Sequence, residues 1–567
     1  MATISDHFVE KTDPAPYGQA IFLSQKSINN GFSALWEAAQ DIPDDQDNPD
    51  PNQNPLKYFS VPSRTQEYFK FNTGKPEVRL QVTKNGDPML YFRLRTDKGG
   101  LWVFTTDDPN DDTHIDWDIA GFVFAFSVRI GRKEITKDSQ EYKDFKDRAG
   151  LPNSNFTLAM LFIDASTTTT WNDELSDFRD KADEWRNLTP EARGTIKTWV
   201  TKWLNITNEK GQSILGYSAE RQEDDELNEY APTFPPTSID YYCYPWKGLD
   251  GSEAPKDDLD TNALSYLMMS NFEEPPAGGS IEYTGPWVDD GDRQGTFVMN
   301  RTLFWPWMNR LLRQMVIAMT PYPDTPFVEW SGANPDLPWS SGIRFHAGDD
   351  DAQDSEYQFT KSWNPFYPGF RWFLTGPKRH SEASATNPHD SKNKMILKED
   401  TSDTNARIKF IPGGEQVDLQ GSSSFKFRAD HQRKHPTYTE MRFGISWSIS
   451  LVMSSVEDGG LQFQVVKDSD VVEVTHVKEG GMRWGQPPEE IAEEWKNDIK
   501  GGLRRSLDRV ADKLLNGLAD QHRLFLPGKG SYLMNNPIWG KEGDLLVNLN
   551  WNGADPPKKK KRHLFYS

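Results

Sequence analysis

The stretch "MRFGISWSISLVM", residues 441–453, constrains this chain more than any other. Met441, Phe443, Ile445, Trp447, Ile449, Leu451 and Met453 fall on one face of an extended strand, while the other face carries mostly small or polar residues. Strand side chains alternate with a period of two, so the pattern asks for a sheet that is apolar on one side and wet on the other. At roughly 3.3 Å per residue a strand of about 13 residues spans about 40 Å, long for a globular sheet, which predicts an elongated body.

Similar alternation recurs on both sides of the middle third. Val78, Leu80 and Val82 precede an Asn85-Gly86 turn; Leu90, Phe92 and Leu94 follow; Gly99-Gly100 marks a further turn before Trp102 and Phe104. In "FVFAFSVRI", Phe122, Phe124, Phe126, Val128 and Ile130 share a face, and "NFTLAMLFIDAS" (155–166) reads as another strand. Toward the C-terminus come Ile408 and Phe410, Phe425 and Phe427, Leu461, Phe463 and Val465, then Val472 and Val474. Helical spacing is expected over 20–39, through Ile21, Ile28, Phe32, Leu35 and Ala39, and over 303–319. Thr189-Pro190 opens a helix carrying Ile196, Trp199, Trp203 and Leu204, with threonine as cap and proline at the first helical position. Loops are expected at 41–55, 222–262, 273–300 and 347–405, where Pro, Gly and polar residues dominate.

One predicted helix is unusual. From Pro488 its apolar positions are Ile491, Trp495, Ile499, Leu503, Leu507, Val510, Leu514 and Leu518. They recur about every 3.9 residues rather than every 3.6, so the stripe drifts by roughly 180° along the helix. Such a line fits a helix enclosed by a curling sheet, or an ordinary core helix bent at Gly501-Gly502. The chain then turns through Pro527-Gly528 into a short apolar strand at Leu545-Leu546-Val547.

Composition narrows the function. With 64 basic against 85 acidic residues the net charge is −21, which disfavours nucleic acid and, over most of the surface, anionic membrane. The single cysteine, Cys243, excludes an intrachain disulfide and a cysteine zinc cluster, as in a reducing compartment. No secretory leader and no long apolar run is read in the chain, so a cytoplasmic protein is expected.

Catalytic signatures are missing. There is no phosphate-binding loop, dinucleotide fingerprint, nucleophile elbow or paired-histidine zinc motif. Cys243 sits in "YYCYPW" without a base; His431 and His435 fall in a loop between strands; the acidic run 107–118 around His114 reads as exposed turns. No metal and no cofactor is expected. The basic run Lys558, Lys559, Lys560, Lys561 and Arg562 is open to three readings: a nuclear-import signal, a contact for anionic headgroups, or a solvated end.

Several stretches, in order, carry a family resemblance: "GQAIFLSQKSINNGFSALW", "FTLAMLFIDAS", "ILGYSA" with "PPTSIDYY", "ALSYLMMSNFEEPP" and "LFLPGKGSYLMNNPIWGKEGDLLVNLNW". In them the chain resembles the tubular lipid-binding superfamily, in particular the accessory proteins encoded in clostridial neurotoxin gene clusters. The resemblance implies an α+β, elongated body of highly curved antiparallel sheets wrapped around long amphipathic helices, with an apolar groove that holds lipid in other members. It offers no catalytic motif to carry over, and the long central loops and the lysine tail depart from it.

The expected organisation is an N-terminal helix-plus-sheet module (1–220), a loop-rich and helical centre (221–400), a C-terminal curved sheet with its long helix (401–555) and a basic tail (556–567). The expected function is binding or carriage of a lipid or other hydrophobic molecule without catalysis. Groove candidates are Trp495, Ile499, Leu503, Leu507, Val510, Leu514, Phe443, Trp447, Phe122 and Phe124. Two alternatives stand beside it: an accessory protein that docks another protein and fills its own core, and an enzyme without a recognisable motif, such as a cyclase, working in the apolar chamber.

Overall fold

The computed structural model describes the chain apart from residues 1–3, 44–49, 51, 62–65, 82–88, 107–109, 111, 141, 144–155, 165–169, 222–235, 246–258, 271, 278–280, 282–286, 290–292, 309–311, 313–321, 324–325, 333–338, 343–344, 347–357, 364–369, 376–378, 456–460, 467–468, 470, 481–488, 491, 495, 498–499, 502–531 and 552–567. The described residues are mostly sheet, in curled antiparallel layers.

A six-stranded sheet joins distant parts of the sequence, in the order Ser238–Tyr244, Ala263–Met269, Gln19–Ser24, Gly295–Met299, Leu545–Trp551, Tyr532–Trp539. Its middle strands are buried on both faces, so they read as continuous apolar runs rather than alternating ones. Ile21, Leu23 and Val547 point into the main core; Ala20, Phe22 and Leu546 point into a second core behind the sheet. Two expectations change here. Residues 20–24 belong to a strand, and the helix begins only at Gln25, where the Ser24 side chain accepts from the Ser27 N–H at 3.1 Å and ends the strand as a helix cap. The loops expected at 222–262 and 273–300 contain the strands Ser238–Tyr244 and Gly295–Met299. Gly295 is required where it stands: a Cβ there would lie 2.8 Å from the Phe22 carbonyl oxygen of the neighbouring strand.

The N-terminal sheet is organised by one strand, Met89–Phe104. Its first half pairs with Glu77–Gln81 and Val123–Glu134, its second half with Tyr68–Thr73 and His114–Asp118. The turn expected at Gly99-Gly100 is therefore mid-strand. A Cβ on Gly99 would lie 2.3 Å from the Lys70 carbonyl oxygen, so glycine serves close strand approach there, not reversal. The helices Gln25–Asp41 and Pro190–Glu209, of 17 and 20 residues, cover this sheet. Phe92 meets Phe32 of the first at 6.0 Å and Trp203 of the second at 5.7 Å. Thr189 caps the second helix as expected, accepting from the Ala192 N–H at 3.3 Å.

The third sheet is built on Asp390–Phe410, Gln416–Gln432 and Thr437–Ser455, of 21, 17 and 19 residues. Phe370–Thr375 and Arg379–Asn387 divide one outer edge between them; Leu461–Val465 and Val471–Gly480 divide the other. Met441 to Met453 alternate between buried and more exposed positions as the sequence predicts. Among its described residues the loop expected over 347–405 is overturned: Gln358–Trp363 pairs with Phe370–Thr375, and residues 379–410 form a hairpin. It reads as loop because no described residue from 380 to 394 is fully buried, leaving no apolar face to betray a strand before Met395 and Leu397.

Helical positions occur at 489, 490, 492–494, 496, 497, 500 and 501, where the drifting helix was expected. Its stripe positions Trp495, Ile499, Leu503, Leu507, Val510 and Leu514 lie outside the described residues, as do the tail residues Lys558 to Arg562. Among the described residues no helix is long and apolar enough to cross a membrane.

Candidate functional site: the apolar face of the long-strand sheet

Antiparallel pairing turns the alternation into cross-strand rows. Phe427 lies opposite Met441, Phe425 opposite Phe443, Leu419 opposite Ile449 and Val417 opposite Leu451. Ala406, Ile408 and Phe410 extend the rows on one side, Val472 and Val474 on the other. The Trp447 indole fills the space opposite Gly421, where an added Cβ would come within 2.2 Å of it. Its Nε1–H is buried without a hydrogen-bond acceptor. The result is one continuous apolar face, and every residue from Met441 to Met453 that points into it is at most 2% exposed.

Polar groups bound this face at its ends. On the Arg379–Asn387 side, the buried Glu399 carboxylate accepts from the Ser381 hydroxyl at 3.0 Å and from Thr401. At the opposite end Phe410 stacks on Trp305 at 5.3 Å, and Trp305 lies 5.0 Å from Trp539 of the six-stranded sheet. Beside Trp305, the Asp544 carboxylate accepts from the Arg301 backbone N–H at 2.7 Å and from Arg301 Nη1 at 3.0 Å. Burial pushes the Asp544 pKa up to about 6; Arg301 opposes that shift, and nearby Asp13 adds to it. This carboxylate locks the 301–308 helix to the hairpin turn at Gly543, whose carbonyl also accepts from Trp305 Nε1 at 2.8 Å.

Of the groove candidates, Phe443 and Trp447 share this face, whereas Phe124 lies on Val123–Glu134 of the N-terminal sheet and Phe122 immediately precedes that strand. There Phe124 packs against Phe69 at 5.8 Å and Phe178 at 5.6 Å, and Phe122 against Phe178 at 5.8 Å. All four are buried in the same connected core. The remaining reactive candidates are dispersed. Cys243 is buried and its thiol is pushed up to about 12, which keeps it neutral and unreactive. His431 sits at the end of its strand with Nε2 2.7 Å from Asn393 Oδ1, and burial and Arg433 lower its pKa. His114 stacks on Trp102 at 4.5 Å, while Asp116 accepts from the Tyr68 hydroxyl at 3.1 Å. Among the described residues no group of three or more His, Cys, Asp or Glu side chains could hold a metal ion.

Sequence reasoning missed Glu399, which it placed in a loop, and the shape of the sheet's outward side. One signal for the latter was present: Ser446, Ser448 and Ser450 alternate with the bulky inward residues, so the outward face is short of side-chain volume.

No protein-family model matches the sequence, and no curated protein does. Among solved structures the chain is similar to P47 from Clostridium botulinum A2, at 10% identity and a TM-score of 0.39, over 95% of this chain and 98% of that one. It is also similar to a lipopolysaccharide binding protein, at 12% identity and a TM-score of 0.32, over 94% of this chain and 99% of that one.

Proposed function

We propose that this chain binds a lipid or another hydrophobic molecule against the apolar face of the long-strand sheet, and that it does so without catalysing a reaction. The supporting observation is the unbroken apolar row from Met441 to Met453 with its partners Val417, Leu419, Phe425 and Phe427. Affinity there would come from area removed from water, about 0.8 kcal/mol per buried methylene of an acyl chain before the costs of association.

A second function is favoured by one specific observation. The same residues are almost fully buried by the chain itself, so a ligand would have to displace the groups that cover them. A face that stays covered belongs to an accessory protein whose core is its own and whose task is docking another protein.

One experiment separates the two. The intact chain, purified from the cells that make it, is weighed by native mass spectrometry and extracted with organic solvent. A stoichiometric apolar adduct is expected. A mass equal to the bare chain, with no uptake of a fluorescent fatty acid or phospholipid on incubation, overturns lipid binding in favour of docking.

A further inference from the structure

The outward side of the long-strand sheet is hollow. Where Asp390–Phe410, Gln416–Gln432, Thr437–Ser455 and Val471–Gly480 run side by side, two cross-strand rows face away from the core. Arg407, Gln420, Ser448 and Val471 form one; Asn405, Ser422, Ser446 and Glu473 form the other. These eight side chains line a groove of about 490 Å³, floored also by Gly421 and Trp447. That volume lies within the roughly 300–1,000 Å³ of ordinary small-ligand sites.

Its shape follows from side-chain size. The serines at 422, 446 and 448 sit on the two central strands and rise little above the backbone, while Arg407 and Glu473 stand on the outer strands as walls. The Arg407 guanidinium is held in place because its Nε donates to Gln420 Oε1 at 2.8 Å and its Nη2 donates to the same oxygen. Ser422 donates to Asn405 Oδ1 at 3.1 Å, which leaves the Asn405 amide N–H groups to other acceptors. The Ser446 and Ser448 hydroxyls, the Gln420 amide N–H groups and the Glu473 carboxylate have no protein hydrogen-bond partner among the described residues.

This lining selects by chemistry. It offers donors and acceptors in mixture, with one cation and one anion on opposite walls, so a strongly anionic ligand would meet Glu473 and a cationic one Arg407. Val471, 46% exposed, adds one apolar wall. A ligand rich in hydroxyls answers every group, since each hydroxyl both donates and accepts, and its C–H faces suit the valine. We propose that this groove is a binding site for a neutral oligosaccharide, on the side of the sheet opposite the apolar face and independent of it.

The test uses the full chain and a panel of neutral, sulfated and amine-bearing oligosaccharides, read by saturation-transfer NMR and calorimetry. Binding of one or more neutral members is expected, weakened about tenfold or more by Ser446→Trp, which fills the groove, and by Glu473→Gln, which removes an acceptor. Both positions are exposed, so the thermal midpoint and any lipid uptake should stay as in the parent chain. No neutral binding at millimolar concentration overturns the proposal, as does binding confined to sulfated or amine-bearing members. Binding that both variants leave unchanged also overturns it.

Discussion

Asp544 shows how far one side chain's consequences reach. Its carboxyl is raised from 3.8 to about 6 by burial, so between about pH 4 and pH 6 the native chain holds a proton there that the unfolded chain has lost. Stability from this group is therefore greatest below about pH 4, falls as pH rises through that window and levels off above it, by at most about 3 kcal/mol. Asp544→Asn retains an oxygen for the Arg301 backbone N–H and removes the titration. Urea unfolding at a series of pH values from 4 to 7 should show a flatter dependence in the variant than in the parent. Equal slopes would mean that Arg301 keeps the carboxylate ionised throughout. None of this was legible in the sequence, because Arg301 and Asp544 are 243 positions apart and neither stands in a motif. Cys243, which the sequence sets among aromatic neighbours without a base, is buried, and burial raises its thiol pKa.

Among the elements, legibility depended on whether a strand has one dry face or two alike. The strand Thr437–Ser455 was readable because its burial alternates residue by residue. Gln19–Ser24 was not, since it is buried on both faces and runs directly into a helix, so its apolar residues fit the helical period of the segment that follows. The Arg379–Asn387 hairpin failed for the opposite reason, with neither face fully buried near its tip. The alternation makes a sharp prediction for neighbouring positions. Ile445→Lys places an unpaired ammonium on the apolar face and should cost about 4 kcal/mol or more, enough to unfold a marginal chain. Ser446→Lys, one residue on, projects outward beside Glu473 of the paired strand and should change stability by about 0.5 kcal/mol or less. Denaturant midpoints for the two variants decide it, and comparable losses would mean the strand's outward side is packed too.

For the whole molecule, the six-stranded sheet is the element that matters most, because it takes strands from 19–24, 238–269, 295–299 and 532–551. The sequence could show that Leu545-Leu546-Val547 is a strand; it could not show the partner, because pairing register is carried by contacts that spacing does not encode. Its partner distant in sequence is Gly295–Met299, with Val547 opposite Phe297 and Leu546 opposite Val298, while Tyr532–Trp539 pairs on its other side. Residues of the three larger sheets meet in one connected core, from Ile21 and Phe92 through Trp305 and Trp539 to Phe410 and Trp447. Modules at 1–220 and 401–555 that unfold separately would give two transitions, of which a C-terminal substitution moves only one. A shared core gives one transition that moves as a unit. Val547→Asp, which buries a carboxylate in that core, should therefore shift far-ultraviolet circular dichroism and tryptophan fluorescence together, by at least about 3 kcal/mol. Two separated transitions, with the earlier part of the chain unmoved, would show that the six-stranded sheet joins units that hold their own structure.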